Sequence, residues 1–424
     1  MSENTVFQLL GRRLRLAVIG GGPGSFIGAM HRQAARLDDR YELVAAALSS
    51  DPERSKAGGQ SIGVPADRCY ADGSALIEAE AQRADGAEVV AIMTPNDSHF
   101  RFSMLALDHG MDVICDKPMT NTLQEAEALH AKVQSSGRVF CLTHNYTGYP
   151  MVRQAKAMVM EGLLGDIRLV QVEYVQGGRA KGGPGRKAWK EDPARGGPSL
   201  VMGDIGTHAH NLLRFITGLE VAEVAADVGT IVPDRITHDY AGAMLRMSNG
   251  ARGSFWVTQA AAGVENGLRI RVSGSLGSVE WHQEHPQVLH FKPLDAPAQV
   301  RTPNGPGTLP LAADKTFSVH GGALTHSPDS TDGNKDGDDE YVIIYPDRLT
   351  PPPAGAIEIP LVAMIHPQVT GRTFSQVKNA KVVIENENRQ VLLDVSLSNQ
   401  FGEFVGVQMG SIMIEPSGAS FVGI

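Results

Sequence analysis

Between residues 14 and 145, short apolar runs alternate with amphipathic stretches of helical length, and this alternation limits the possible architecture more than any other feature of the chain. The runs Leu14–Ile19, Tyr41–Leu48, Glu88–Met93, Asp112–Cys115 and Val139–Thr143 read as strands. Helix-like segments such as Gly28–Leu37, Ser74–Ala84, Ser98–His109 and Leu123–Ser135 lie between them. Strands separated by helices of about 10–15 residues form βαβ units and a parallel sheet. The runs lack in/out polar alternation, as strands do when helices cover both faces of their sheet. The expectation is a doubly wound α/β domain over residues 1–145.

The pattern then changes. A helix over Pro150–Glu161 leads into Ile167–Val175, Ala222–Val232, Tyr240–Met247, Ala251–Thr258, Leu268–Ser273 and Ser278–His282. Many of these runs alternate apolar with polar residues and are joined by turns such as Ser248-Asn249-Gly250, as in an antiparallel sheet with one open face. A helix beginning near Asp204 interrupts them. Residues 146–307 are therefore expected to form an α+β domain. From Thr308 the chain is rich in Pro and Gly, with strand-like runs Glu340–Tyr345, Ile357–Ile365, Ala380–Ile384, Val391–Leu397 and Glu403–Ile414. Residues 308–424 read as a β-rich appendage.

Composition removes several function classes. With 38 Lys+Arg against 47 Asp+Glu the net charge is −9, which disfavours nucleic-acid and membrane-surface binding. The 424 residues can bury a large core without staples, and the 3 cysteines (Cys69, Cys115, Cys141) form no C-x-x-C pair. A reducing, cytoplasmic location is expected. Arg12-Arg13 resembles the start of a twin-arginine signal, but Arg15 breaks the apolar stretch behind it and no cleavage site follows.

Five segments at expected strand ends and one at a helix start carry chemistry. Gly20-Gly21-Gly22-Pro23-Gly24-Ser25-Phe26-Ile27-Gly28 joins the first strand to the first helix, where glycines let a backbone approach a pyrophosphate beside free helix N–H groups. A glycine-rich loop can also be a plain structural turn; its place after a strand and before a helix favours dinucleotide binding. The second strand ends in Leu48-Ser49-Ser50-Asp51-Pro52-Glu53-Arg54. Asp51 stands 23 residues beyond Gly28, near the offset for a ribose-binding acid, but it could instead cap the next helix. Ser49 and Ser50 with Arg54 could meet a 2′-phosphate, so NAD and NADP both stay open, NAD slightly favoured. Thr94-Pro95-Asn96 with His99, then Asp116-Lys117-Pro118, then His144-Asn145-Tyr146 follow successive strands, and a strand-end Lys can reach into a cofactor crevice. Gly203-Asp204-Ile205-Gly206-Thr207-His208 places a carboxylate and an imidazole one helical turn apart, suited to a general base held by its acid. The alternatives are a helix-start Asp with a packed His, or a metal site of Asp204, His208 and His210, for which no further ligand at zinc-like spacing is evident. No metal is expected. Arg179, Lys181, Arg186, Lys187, Lys190 and Arg195 crowd the glycine-rich stretch 177–197, which reads either as a solvated loop or as a cover for a polyhydroxylated or anionic substrate.

Taken in order, these motifs resemble the Gfo/Idh/MocA oxidoreductases over about residues 12–305. Trp189, Asp192-Pro193 and Gly196-Gly197 ahead of Asp204 strengthen the match. The glycine-loop and Leu-Ser-Ser-Asp-Pro-Glu-Arg wording is similar to the levoglucosan and inositol dehydrogenase branch. The resemblance implies hydride transfer between a nicotinamide cofactor and a carbon of a sugar or cyclitol. It implies a cofactor site of Gly20, Gly22, Pro23, Gly24, Ser25, Phe26, Ile27, Ser49, Ser50, Arg54, Thr94, Pro95, Asn96, His99, Asp116, Lys117 and Asn145. Lys117 would bridge cofactor ribose and substrate, Asp204 would orient the substrate hydroxyl, and His208 would take its proton; Tyr146 and Trp189 would join them around the substrate. Asp116 stands where the family usually has Glu.

The family's usual His-Pro-Glu-Gly-Tyr-type segment has no counterpart after Gly307. The tail instead carries Asp332, Asn334 and Asp336, spaced like the start of a calcium loop, but Ile343 occupies the position of its final acidic ligand. Two other functions compete with a dehydrogenase: an NAD-dependent glycosidase of related fold, and a non-catalytic cofactor-binding sensor. An open-faced sheet also favours a homo-oligomer.

Overall fold

The computed structural model describes residues 5–37, 39–182 and 188–313, and beyond them only the segments 324–326, 342–344, 357–364, 381–385, 390–396, 406–415 and 418–423. Residues 4–316 form one compact unit. Its first sheet contains β1 (Leu14–Gly20), β2 (Tyr41–Ala47), β3 (Val89–Met93), β4 (Asp112–Cys115) and β5 (Phe140–Leu142). They are all parallel, in the order β2-β1-β3-β4-β5. All of β3 is buried, as its unbroken apolar sequence requires when helices lie on both faces. Because the strand order reverses at β1, which lies between β2 and β3, the carboxyl ends of β1, β3 and β4 line one crevice, the place where a doubly wound sheet binds ligands.

The second sheet has eight strands: β6 (Ile167–Val175), β7 (Val221–Gly229), β8 (Tyr240–Met247), β9 (Arg252–Thr258), β10 (Gly267–Gly274), β11 (Gly277–His282), β12 (Leu289–Pro293) and β13 (Gln299–Arg301). The order is β13-β12-β11-β10-β6-β9-β8-β7. It is antiparallel throughout except for β6 and β9, which run parallel. Its inner face, including Val170, Val172, Tyr174, Phe255, Val257, Ile270 and Trp281, shares one apolar core with residues of the helices Pro150–Met160 and Thr207–Thr217. The outer face is open.

The short helix Pro310–Ala313 belongs to this unit. Gln154 from the Pro150–Met160 helix donates to the Gly307 carbonyl at 3.1 Å and accepts from the Leu309 amide at 2.9 Å, and Ala312 is buried. The compact body therefore extends past the expected 307/308 boundary. The later segments form a second unit, paired antiparallel as Leu324–His326 with Val342–Ile344, Ile357–Met364 with Gly406–Glu415, Lys381–Glu385 with Val391–Ser396, and Gly406–Glu415 with Gly418–Gly423. The stretch from Asp332 to Asp336 lies outside the described residues, as do Arg186 and Lys187.

Candidate active site

The glycine loop is built for close approach. Gly20 and Gly21 adopt left-handed φ of 77° and 66°. A β-carbon on Gly28 would lie 1.8 Å from the Gly21 carbonyl oxygen, so only glycine lets the helix Phe26–Leu37 seat against the turn. Ser25 Oγ accepts from the Gly28 amide at 3.3 Å, and Arg32, absent from the sequence expectations, donates to the Gly21 carbonyl at 2.7 Å. Pro23, Gly24 and Phe26 are exposed, with Gly22, Ser25 and Ile27 partly so. Open space lies where a Gly24 β-carbon would be, so the loop fits an incoming pyrophosphate.

At the β2 tip the capping alternative is realised. Asp51 accepts from the Arg54 amide at 2.7 Å and starts the helix Pro52–Ser61, while Ser49 Oγ accepts from the Asp51 amide at 3.1 Å. Ser50 and Arg54 stand exposed beside it.

After β3 the Thr94–His99 segment divides its roles. Thr94 and Pro95 remain partly accessible at the strand end. His99 and Asn96 are engaged within the protein. The His99 ring is buried, with Nδ1 2.7 Å from the Pro118 carbonyl and Nε2 3.0 Å from that of Thr94. It therefore braces two crevice turns against each other. Asn96 Nδ2 donates to the Gly196 carbonyl at 2.9 Å and ties this turn to the second half of the unit. Asp116 accepts from Thr143 Oγ1 at 2.7 Å, and Asn145 is exposed in the turn Asn145–Gly148.

Lys117, Asp204 and His208 do converge. Asp204 lies in a π-helical turn, Met202–Gly206, that runs into the helix Thr207–Thr217. Lys117 Nζ donates to Asp204 Oδ1 at 3.0 Å and also to its backbone carbonyl. Lys190 Nζ donates to the same Oδ1 at 2.5 Å, and Gln259 Nε2 reaches Oδ2 at 2.9 Å. The expectation that Asp204 holds the imidazole is corrected here: its carboxylate is taken up by these donors, and the buried His208 Nδ1 has no hydrogen-bond partner. The ring is enclosed instead by Tyr146, His144 and Tyr174, with centroids 4.8, 5.4 and 6.2 Å away. Trp189 stands half-buried beside Lys190, whose ammonium is 5.9 Å from its ring centre.

A polar network missed in the sequence continues from Asp204. Because β6 and β9 are parallel, the residues just beyond them, Gln176 and Gln259, lie side by side, and Gln259 Nε2 donates to Gln176 Oε1 at 3.0 Å. Gln176 Nε2 then donates to Asn266 Oδ1 at 2.8 Å, which also accepts from Tyr174 Oη at 2.7 Å. Tyr146 and Tyr174 share a hydroxyl contact of 2.5 Å. Gln259 is buried and its Oε1 has no partner.

Electrostatics sort these groups. Burial alone would raise the Asp204 carboxyl, but the ammoniums of Lys117 and Lys190 and the donors on its oxygens outweigh it and hold it well below the ordinary range. Burial, followed by Lys117 and His144, pushes His208 down to about 2; Asp204 alone among the named charges acts in the other direction. His144 falls to about 4, through burial and then Lys117. The site thus holds a charged carboxylate beside two neutral imidazoles.

Among the described residues no group of His, Cys, Asp and Glu has the arrangement of a metal site. A 230 Å³ pocket lined by Arg269, Glu280, His282, His285, Val288 and His290 lies on the outer-face side of the second sheet, and Glu280 already engages Arg269 and Arg271. The carboxylate, ammoniums and imidazoles meet elsewhere, in the crevice.

Comparison with known proteins agrees with this geometry. Residues 14–144 match the profile of an oxidoreductase family with an NAD-binding Rossmann fold, and residues 152–280 match the GFO/IDH/MocA C-terminal domain. The chain is 36% identical over 301 residues to the uncharacterized oxidoreductase YfiI of Bacillus subtilis, covering 69% of this chain and 76% of that one. It is 27% identical over 313 residues to levoglucosan dehydrogenase of Pseudarthrobacter phenanthrenivorans, covering 64% and 74%. A solved inositol dehydrogenase homolog from Azotobacter vinelandii, complexed with NADH and myo-inositol, superposes with a TM-score of 0.67 at 36% identity, over 71% and 78% of the two chains.

Proposed function

From the premise that this chain belongs to the Gfo/Idh/MocA family of NAD-binding oxidoreductases, we propose that it transfers a hydride between a nicotinamide cofactor and a hydroxyl-bearing carbon of a sugar or cyclitol. The observation that carries this reading is the convergence of Lys117 and Asp204 beside the neutral imidazole of His208. The levoglucosan and myo-inositol in the names of relatives support the substrate class.

The residues divide the work. Gly20, Gly22, Pro23, Gly24, Ser25, Phe26 and Ile27 would hold the cofactor's pyrophosphate, with Ser49, Ser50 and Arg54 near its adenosine end. Thr94, Pro95, Asp116, Lys117 and Asn145 would lie along its nicotinamide half. When bound, the cofactor supplies the hydride acceptor. Losing hydride from a carbinol carbon requires that its hydroxyl lose a proton in the same step. A nitrogen of His208 accepts that proton, Asp204 orients the hydroxyl and favours the imidazolium, and the Lys117 ammonium stabilises the alkoxide character of the oxygen. Tyr146 and Trp189 border the substrate.

NAD is the proposed cofactor, supported by the NADH-bound relative. A homo-oligomer in a reducing cytoplasm is proposed as well; Cys69, Cys115 and Cys141 are all free thiols. We take residues 1–145 as the cofactor half and 146–307 as the substrate half, with the β-rich tail outside the catalytic reading. The test is a panel of sugars and cyclitols, including levoglucosan and myo-inositol, monitored at the NADH absorbance with NAD⁺ and NADP⁺ in parallel. Substrate-dependent NADH formation that is lost in His208→Ala supports the reading; aglycone release without net NADH, or no turnover at all, overturns it.

A further inference from the structure

We infer that Lys190 is a positioning residue for Asp204, a second ammonium delivered by the segment before the π-helical turn that fixes the carboxylate for its work on substrate and His208. This deepens the dehydrogenase reading and rests on it.

Geometry makes the case. Lys190 Nζ sits 2.5 Å from Asp204 Oδ1, closer than Lys117 at 3.0 Å. Its backbone is held independently of that contact, and from both halves of the unit. Next in sequence, Glu191 accepts from Arg179 and from Arg235 Nη1 at 2.6 Å; Arg235 also donates to the carbonyls of Arg179 and Lys181 at 3.0 and 3.1 Å. On the other side, Asn96 and Asn121 from the dinucleotide half donate to the carbonyls of Gly196 and Arg195 at 2.9 and 3.1 Å. Gly196 packs so closely that a β-carbon there would lie 2.4 Å from the Lys190 carbonyl. The ammonium is thus presented to Asp204 by a preformed frame, which lowers the ordering cost of a long side chain.

Lys117, Lys190 and Gln259 occupy Asp204 from three elements, which restrains the carboxylate to one rotamer. Two cations share one anion, leaving a net positive cluster against His208. The charged and titratable groups around that ring are Lys117, Lys190, Asp204, His144, Tyr146 and Tyr174. Lys190 opposes the imidazolium and Asp204 favours it. Removing Lys190 therefore loosens the carboxylate and makes His208 easier to protonate, so that activity is lost earlier as pH falls.

The experiment compares wild type with Lys190→Met, Lys190→Gln and Lys190→Arg, alone and combined with Asp204→Asn. It measures kcat/KM across pH 5–9 with myo-inositol and levoglucosan, NADH affinity, and polyol binding to the enzyme–NADH complex by fluorescence. The neutral variants should lose about tenfold or more in kcat/KM, the loss deepening toward acid pH, with NADH affinity unchanged. Arg should restore most of it. In the Asp204→Asn background, removing Lys190 should change polyol affinity less than about twofold, because the two residues act as one unit. Neutral and Arg variants that fall equally, pH profiles that superimpose on wild type, or an undiminished Lys190 effect in Asp204→Asn would each overturn the assignment. An inactive wild type overturns the dehydrogenase reading instead; an active wild type with unaffected Lys190 variants overturns only this inference.

Discussion

The buried imidazoles give the site a pH signature that stability measurements can read. His144 is pushed down to about 4 and His208 to about 2, both chiefly by burial and then by Lys117, whereas an unfolded chain protonates histidine near ~6.5. A depressed folded pKa means that the unfolded state binds the extra proton first, so the contribution is full above the unfolded value of ~6.5 and declines as pH falls from there toward about 4. His31 and His210 are shifted in the same direction. Thermal denaturation should show the melting temperature falling between pH 7 and pH 5, with a shallower slope in a His144→Gln/His208→Gln variant. An unchanged slope in that variant would contradict the assignment. The same residues show how far a sequence can be read. Lys117, Asp204 and His208 were legible because each follows a recognisable strand or helix signal. Lys190 was visible only as one cation among several, and Gln259 carried no signal at all.

At the scale of elements, β6 and β9 matter most. Their parallel pairing, in a sheet otherwise antiparallel, sets Gln176 and Gln259 next to Asp204. Alternating hydrophobicity revealed the strands but cannot reveal which strand neighbours which, since the period of two is the same in either direction. His99 and Asn96 make a similar point: the motif placed them at a strand end, and only the fold shows that they tie separate turns together. The dinucleotide half contains another such tie. Glu80, fully buried on the helix Gly73–Ala81, accepts from Arg68 Nε at 3.0 Å, Tyr70 Oη at 2.8 Å and the Ala87 amide at 2.9 Å. Burial, then its hydrogen bond to Glu80, raises Tyr70 to about 12. Glu80→Ala would leave the buried Arg68 guanidinium with only the exposed Asp85, whose carboxylate lies 3.6 Å away and whose carbonyl accepts at 3.2 Å, at a cost of about 3 kcal/mol. Urea denaturation should report that loss; an unchanged midpoint would show the pair to be dispensable.

For the whole molecule, the second sheet has one face committed to the core and one open. On the open face Leu169, Met244 and Trp256 are 55%, 72% and 40% exposed, and Trp256 pairs in register with Glu173 of β6. Large apolar side chains clustered on a sheet face favour association between identical subunits. Light scattering should find a homo-oligomer, and Trp256→Glu should shift it toward monomer; a wild-type monomer would refute the proposal. No helix among the described residues is long and apolar enough to cross a membrane.

By itself the sequence determined the parallel α/β half, the glycine turn and the identity of the carboxylate, lysine and histidine that face the crevice. Those features depend on local periodicity, on steric demands of single glycines and on short motifs, all of which are written along the chain. The tertiary structure alone decided that Asp204 serves two ammoniums and an amide in place of the imidazole, and that a phenol–amide network extends from it. Such contacts join residues as far apart as Lys117 and Asp204 or Asp204 and Gln259. They depend on strand order and on desolvation, neither of which has a period or a local signature to read.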